Sequence, residues 1–145
     1  MDQKEFREFY RTIQDVAEHP VVLRMKKYPH HGDTSCYKHC MRVAYFNYII
    51  CKKLHLDAKS AARAGMLHDL FLYDWHTHAR ETGERLHGFT HAEKAYKNAG
   101  KIFRLNRVER DVIRNHMWPV TLRSVPRQRE GWMIVLTDKY SGLLE

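Results

Sequence analysis

The chain has 145 residues, with 25 Lys plus Arg against 17 Asp plus Glu, for a formal net charge of +8. That length suits one domain with a core large enough to need no staple. Hydrophobic residues at 43% and charged residues at 29% exclude a disordered chain, while short apolar runs and a polar start from Met1 to Glu5 argue against membrane-spanning and exported classes.

Along the chain, Phe6, Phe9, Tyr10, Ile13, Val16 and Ala17 recur at helical spacing, which predicts an amphipathic helix closed by Pro20. Val21, Val22, Leu23 and Met25 make a short apolar turn, and residues 28–35 read as a loop offering Asp33 or Thr34 as an N-cap. A long helix from Cys36 to about Leu54 turns Cys40, Val43, Ala44, Ile50 and Leu54 inward. Asp57 caps the next helix, whose inner stripe is Ala58, Ala61, Ala62, Gly65 and Leu72. Such small side chains let another helix approach closely. Residues 73–90 read as a polar loop, in which Asp74, Trp75, His76, His78 and Arg80 make a candidate lid. Helices then fit about 89–100, 106–117 and 130–143, with Trp118 and Pro119 stopping the one at 106–117 and Trp132 and Tyr140 in the core. No segment alternates with a period of two. The expected fold is therefore all-α, a single-domain bundle of six or seven helices over 1–145, with residues 1–28 packing on a core formed by 30–145.

Cys36, Cys40 and Cys51 are an odd number at spacings that fit no disulfide framework, which points to a reducing, cytoplasmic setting. Cys36 and Cys40 flank His39, as in a Cys/His zinc knot, but no second C-x-x-C pair completes one. Between Lys101 and Glu130 there are eight basic residues and three acidic ones. Such a bias marks a nucleic-acid surface, a lip around a phosphate-bearing molecule, or a solvated helix face. Arg123, Arg127 and Arg129, flanking Pro126, are the candidates for such a lip.

The eleven histidines are the stronger oddity. His39 shares its helix's buried stripe with Val43, His68 lies three residues past Gly65, His116 follows Val112 by four, and Asp138 follows Val135 by three. Periodicity thus turns an ionisable group on each of four helices toward the core. A lone buried imidazole is ordinary, but buried carboxylates need a partner. A shared cation supplies one, and a mixed imidazole and carboxylate set suits Zn, Mn, Fe or Ni better than Ca or Mg alone.

His39, the pair His68-Asp69 within Met66 to Phe71, and Asp138 within Leu136 to Tyr140 resemble the H…HD…D signature of the HD-domain metal-dependent phosphohydrolases. The resemblance runs from about His30 to the carboxyl end. Residues 86–92 and 113–116 resemble the additional histidines of that family's dinuclear branch. The resemblance implies an HD-like helical bundle that cleaves a phosphoester or phosphoanhydride bond of a small phosphorylated metabolite, expected to be a nucleotide. It further implies that His39, His68, Asp69 and Asp138 hold one divalent ion and that His87 and His116 hold a second, with Asp69 bridging. Manganese, iron, cobalt, nickel and zinc are the expected metals, with magnesium admitted, at one or two ions per chain.

His91, four residues after His87, remains an alternative ligand, proton donor or support. Asp69, His91 and Lys139 are the candidate catalytic groups, and Lys139, Trp118, Arg123, Arg127 and His31 are the candidate substrate contacts. The turn after His68-Asp69 reads Leu70 to Asp74 without a basic residue. A phosphate clamp must therefore come from elsewhere. Two other classes stay open: a di-iron oxygenase on the same ligands, and a non-catalytic helical domain that binds metal or nucleotide. A non-enzymatic nucleotide- or nucleic-acid-binding domain ranks below catalysis, and nucleic acid is not the expected partner, because neither a recognition helix nor an aromatic strand platform is evident.

Overall fold

The computed structural model describes residues 2–74 and 87–145, except for the side chains of 87–89. Seven α-helices are described: α1 (Gln3–Ala17), α2 (Pro20–Leu23), α3 (Cys36–Lys53), α4 (Ala58–Leu67), α5 (His87–Ile102), α6 (Arg107–Asn115) and α7 (Arg129–Leu143). The all-α expectation holds, with one small addition. Within the expected 28–35 loop, Pro29–His31 and Thr34–Ser35 pair as a two-stranded antiparallel hairpin, after a 3₁₀ turn at Arg24–Lys27. Gly32, at φ +56°, makes the reversal between the strands, a conformation that glycine adopts without steric cost. None of the described helices is long and apolar enough to cross a membrane.

Local chemistry sets most of the boundaries. Asp2, Asp57 and Asn106 each accept a hydrogen bond from a backbone N–H of the first turn of the helix that follows. Ser35 does the same for α3 through the Lys38 N–H, so the cap is neither Asp33 nor Thr34: the hairpin takes up Thr34 and brings Ser35 to the helix start. Pro20 opens α2 at its first position, where its missing N–H costs nothing, besides ending α1. The helix at 106–117 proves shorter, ending at Asn115 before it reaches Trp118.

The long helix α3 is the centre of the bundle, packing most extensively on α4 and next on α7. Its buried stripe runs through Cys36, His39, Cys40, Val43, Ala44, Asn47, Tyr48 and Cys51. Leu54, expected to point inward, is 55% exposed because it is the C-cap, one residue past the helix. Trp132 and Tyr140, expected in the core, lie instead on the flanks of α7 at 36% and 55% exposure, where they lean on Trp118 and Phe46. The inner side of α7 is made of smaller groups: Gly131, Ile134, Val135, Thr137 and Ser141. Among them, Thr137 donates to Asn47 Oδ1 at 2.6 Å, and Asn47 Nδ2 donates to the Ala61 carbonyl at 3.4 Å, so one buried amide ties three helices.

The small stripe on α4 does bring α3 close. A methyl group added at Gly65 would lie 2.8 Å from Ala44 Cα and 3.1 Å from its nitrogen, so the two backbones touch there. Those atoms cannot rotate away. Gly65→Ala is expected to destabilise the fold by about 1–3 kcal/mol, the range for overpacking a tight core. Urea unfolding checks this, and an unchanged midpoint would show that the helices can separate without cost.

Candidate metal centre

Two helices end in the same way. Beyond α4 the chain stops being helical at His68, whose ring N–H at Nδ1 donates to the Gly65 carbonyl at 2.7 Å. A continuing helix would offer that carbonyl to the Asp69 N–H, so the imidazole replaces the next helical bond. Hence α4 stops at Leu67 rather than running on to Leu72. His116 does the same at the end of α6, with Nδ1 donating to the Ile113 carbonyl at 2.8 Å. A carbonyl can only accept, so each ring must carry its proton on Nδ1 and present Nε2 to the interior.

His39 is oriented by a different partner. Its Nδ1 lies 2.7 Å from Glu145 Oε1, while Oε2 of the same carboxylate lies 2.9 Å from His30 Nδ1. The rings of His30 and His39 stack with centroids 3.7 Å apart. One carboxylate thus steers two imidazoles so that both Nε2 atoms face inward. Outer carboxylates of this kind fix the tautomer and raise the basicity of a ligating histidine. The hairpin carries His30 to this position, which is why no helical period could reveal it.

These elements deliver their side chains to one buried point. His39 Nε2 is 2.9 Å from Asp138 Oδ1, and His68 Nε2 is 3.4 Å from both Asp138 Oδ1 and Asp69 Oδ2. The potential ligand atoms of His39, His68, Asp69 and Asp138 all lie within 4.8 Å of one another, as do those of Asp69, His91 and His116. Asp69 belongs to both sets. Its Oδ2 faces His30 at 3.1 Å and His39 at 3.7 Å, and its Oδ1 faces His91 at 3.3 Å and His116 at 3.5 Å. His91 Nε2 and His116 Nε2 are themselves only 3.0 Å apart.

The donor set and its spacing fit metal. Two donors each about 2.1 Å from a tetrahedral ion are about 3.4 Å apart, and the contacts within each set bracket that separation. His68 Nε2 and Asp69 Oδ1 are buried without a properly formed hydrogen bond among the described residues. Such atoms cost about 1–3 kcal/mol each when left unsatisfied, and a cation between the two sets would engage both. The residues thus form one or two candidate sites for divalent ions.

Electrostatics point the same way. Burial alone would lower the imidazoles, but Asp138 and Glu145 push His39 up to about 9, and Asp69 and Asp138 push His68 up to about 9. Asp69 and Asp138 feel burial upward, yet the surrounding imidazoles hold both well below the carboxylate range. His116 is lowered, first by burial and then by the neighbouring His68 and His91, and so stays neutral as a ligand must.

A cavity of about 440 Å³ opens onto the cluster, with His30, Asp69, His91 and Asp138 at its base. His31 and Lys139 also line it. The Lys139 ammonium is anchored by the carbonyls of Trp118 at 3.1 Å and Val135 at 3.4 Å, which leaves its third N–H available. Trp118 does not line the cavity: its ring packs on Trp132 at 4.9 Å, and Met117 and Val120 form the wall instead. Arg123 and Arg127 do not reach the cavity either and line a separate groove. The side chain of His87, and Trp75, His76, His78 and Arg80 of the candidate lid, lie outside the described residues. Sequence reasoning did not place His30 in the cluster and missed Glu145, which approaches His39 from 106 positions away in the chain.

With folded values near 9, His39 and His68 are protonated at neutral pH until a metal displaces their protons. Titration of the metal-free protein with Mn or Zn at pH 7 should therefore release protons, and the release should fade above about pH 9. Calorimetry in buffers of different ionisation enthalpy measures it. A binding heat independent of buffer would contradict the protonated starting state.

The family model described as HD domain matches residues 36–142, a span that includes His39, His68, Asp69, His91, His116 and Asp138. A Bacillus subtilis (strain 168) protein named "Putative phosphohydrolase YueE" is 30% identical over 91 residues, covering 59% of this chain and 48% of that protein. The chain therefore spans about half the length of this relative. No solved structure matches it. The family match and the convergence of His39, His68, Asp69 and Asp138 together establish that the chain belongs to the HD-domain family.

Proposed function

We propose that this chain is a metal-dependent phosphohydrolase acting on a small phosphorylated metabolite, with a nucleotide as the preferred class. The observation that carries the reading is Asp69, whose two oxygens face two separate sets of imidazoles. In this reading His39, His68, Asp69 and Asp138 hold one divalent ion, and Asp69, His116 and either His91 or His87 hold another. When bound, such ions supply a water with its pKa lowered toward about 7 and neutralise charge on phosphoryl oxygens. The chain's own groups do the positioning. Glu145 and the carbonyls of Gly65 and Ile113 lock the Nδ1 protons of His39, His68 and His116 away from the site. Lys139, held at the cavity edge by two carbonyls, directs its remaining N–H at an incoming phosphate.

The cavity supports a small substrate. A volume of about 440 Å³ lies in the range of small-molecule sites and is lined on its apolar side by Met117, Val120 and Leu143. These apolar side chains offer a surface to a base or sugar. We take residues 1–145 as one working unit, because Phe9, Ile13 and Val16 of α1 are buried in the same core as α3 and α4. A cytoplasmic setting agrees with three buried, unpaired cysteines.

The test is purified protein supplied in turn with Mn, Co, Ni, Fe and Zn and assayed for phosphate release from nucleotides and simple phosphate esters. Metal-dependent turnover is expected, and Asp69→Asn and His68→Ala should each reduce kcat by about a hundredfold or more, as loss of metal-ion catalysis does. Lys139→Ala should raise KM more than it lowers kcat. Silence with every metal, or turnover that consumes O2 instead of releasing phosphate, would contradict the proposal.

A further inference from the structure

Five arginines converge on a groove that plays no part in the metal cluster. Arg107, Arg110 and Arg114 come from α6, and Arg123 and Arg127 from the segment between α6 and α7. The groove they line has a volume of about 510 Å³. Like charges do not gather around a concavity without cost, and each would gain from an intervening carboxylate or an anionic ligand.

The groove's own carboxylates are already committed. Glu93 pairs with Arg114 at 3.2 Å, and that guanidinium also sits 4.7 Å over the Tyr96 ring. Asp111 is buried, and its oxygens accept the N–H groups of Arg127 and Gln128, each at 2.9 Å, and the Asn115 amide at 2.9 Å. Asp111 thereby clamps the backbone that carries Arg127. The clamp is close-fitting: a methyl group added at Gly131 would lie 2.5 Å from Asp111 Oδ2. Arg110 gives one N–H to the Leu105 carbonyl at 2.9 Å. Arg107, Arg110, Arg123 and Arg127 form no ion pair among the described residues, so that, with Asp111 set against them, the groove carries a net charge of about three positive units.

We propose that this groove is a second binding site, selective for a compact oligophosphate anion of the triphosphate class. Guanidinium forks match phosphate oxygens two by two, so a chain of linked phosphates can engage several forks at once, where a single phosphate engages one or two. A net excess of about three positive charges matches a ligand of about three negative charges or more. The arginines are gathered around one concavity beside α6, and this favours a compact anion over a nucleic-acid strand, which needs a basic track. The site stands independently of the phosphohydrolase reading, because none of its residues belongs to the metal cluster.

The experiment is calorimetric titration of the full chain, stripped of metal with a chelator, using inorganic tripolyphosphate. Working without metal keeps the phosphate from being bound by ions at the other site, so the result does not depend on turnover. One equivalent should bind, more weakly at higher salt. Arg123→Glu and Arg127→Glu should each weaken binding about tenfold or more, while Arg24→Glu, the same charge change at an exposed arginine outside the groove, should leave it intact. Circular dichroism confirms folding, and these side chains are on the surface. Absence of binding would overturn the proposal, as would equal weakening by Arg24→Glu or a single-stranded oligonucleotide binding where tripolyphosphate does not.

Discussion

The molecule is organised around a buried carboxylate with histidines on both sides. An ionised Asp69, only 3% exposed, is not tolerated in a protein interior unless nearby positive charge compensates for its lost hydration. Five separate stretches bring imidazoles against it: the hairpin through His30, α3 through His39, the end of α4 through His68, α5 through His91 and the end of α6 through His116, with His39 and His68 carrying positive charge. Much of the architecture follows from holding those groups in place. The close contact of α3 and α4 at Gly65 and Ala44 sets the spacing of His39 and His68. The Asn47 bridge ties both helices to α7, which carries Asp138.

A recurring local device gives the site its polarity. His68 and His116 both end their helices by donating Nδ1 to the carbonyl three residues back. This spends one ring nitrogen on the backbone and leaves the other for the centre. His39, in the first turn of α3 where the preceding carbonyls are taken up by later helical N–H groups, uses Glu145 instead. The same result is reached with a backbone acceptor at helix ends and a side-chain acceptor within a helix. Because the orienting groups differ, damage to one leaves the others intact, and the tautomers of the separate histidines can be perturbed one at a time.

Much of this was legible in the sequence, for physical reasons that also explain what was not. His39 and Asp138 were readable because a polar side chain at an apolar helical position stands out against its own period. His68-Asp69 was readable as a dipeptide motif, although periodicity misjudged its surroundings by carrying the helix to Leu72. Glu145 and His30 left no periodic trace, because one follows the last turn of α7 and the other sits in a three-residue strand. Trp132, Tyr140 and Leu54 show the opposite failure: apolar character suggested burial, whereas position on a flank or past a helix end decided exposure. Arg123 and Arg127 were recognised as an anion-binding feature by composition, but the path of residues 117–128 turns them away from the metal cavity into a groove of their own. Charge can be counted along a chain, but the direction it faces comes only from the fold.

The central claim is that Asp69 joins two ion sites, and metal stoichiometry tests it most directly. After reconstitution with manganese or zinc and removal of excess, elemental analysis should find two ions per chain, falling to one in His116→Ala and below one in Asp69→Ala. Retention of two ions by a folded Asp69→Ala protein would show that the carboxylate holds neither, and the account built on it would fail.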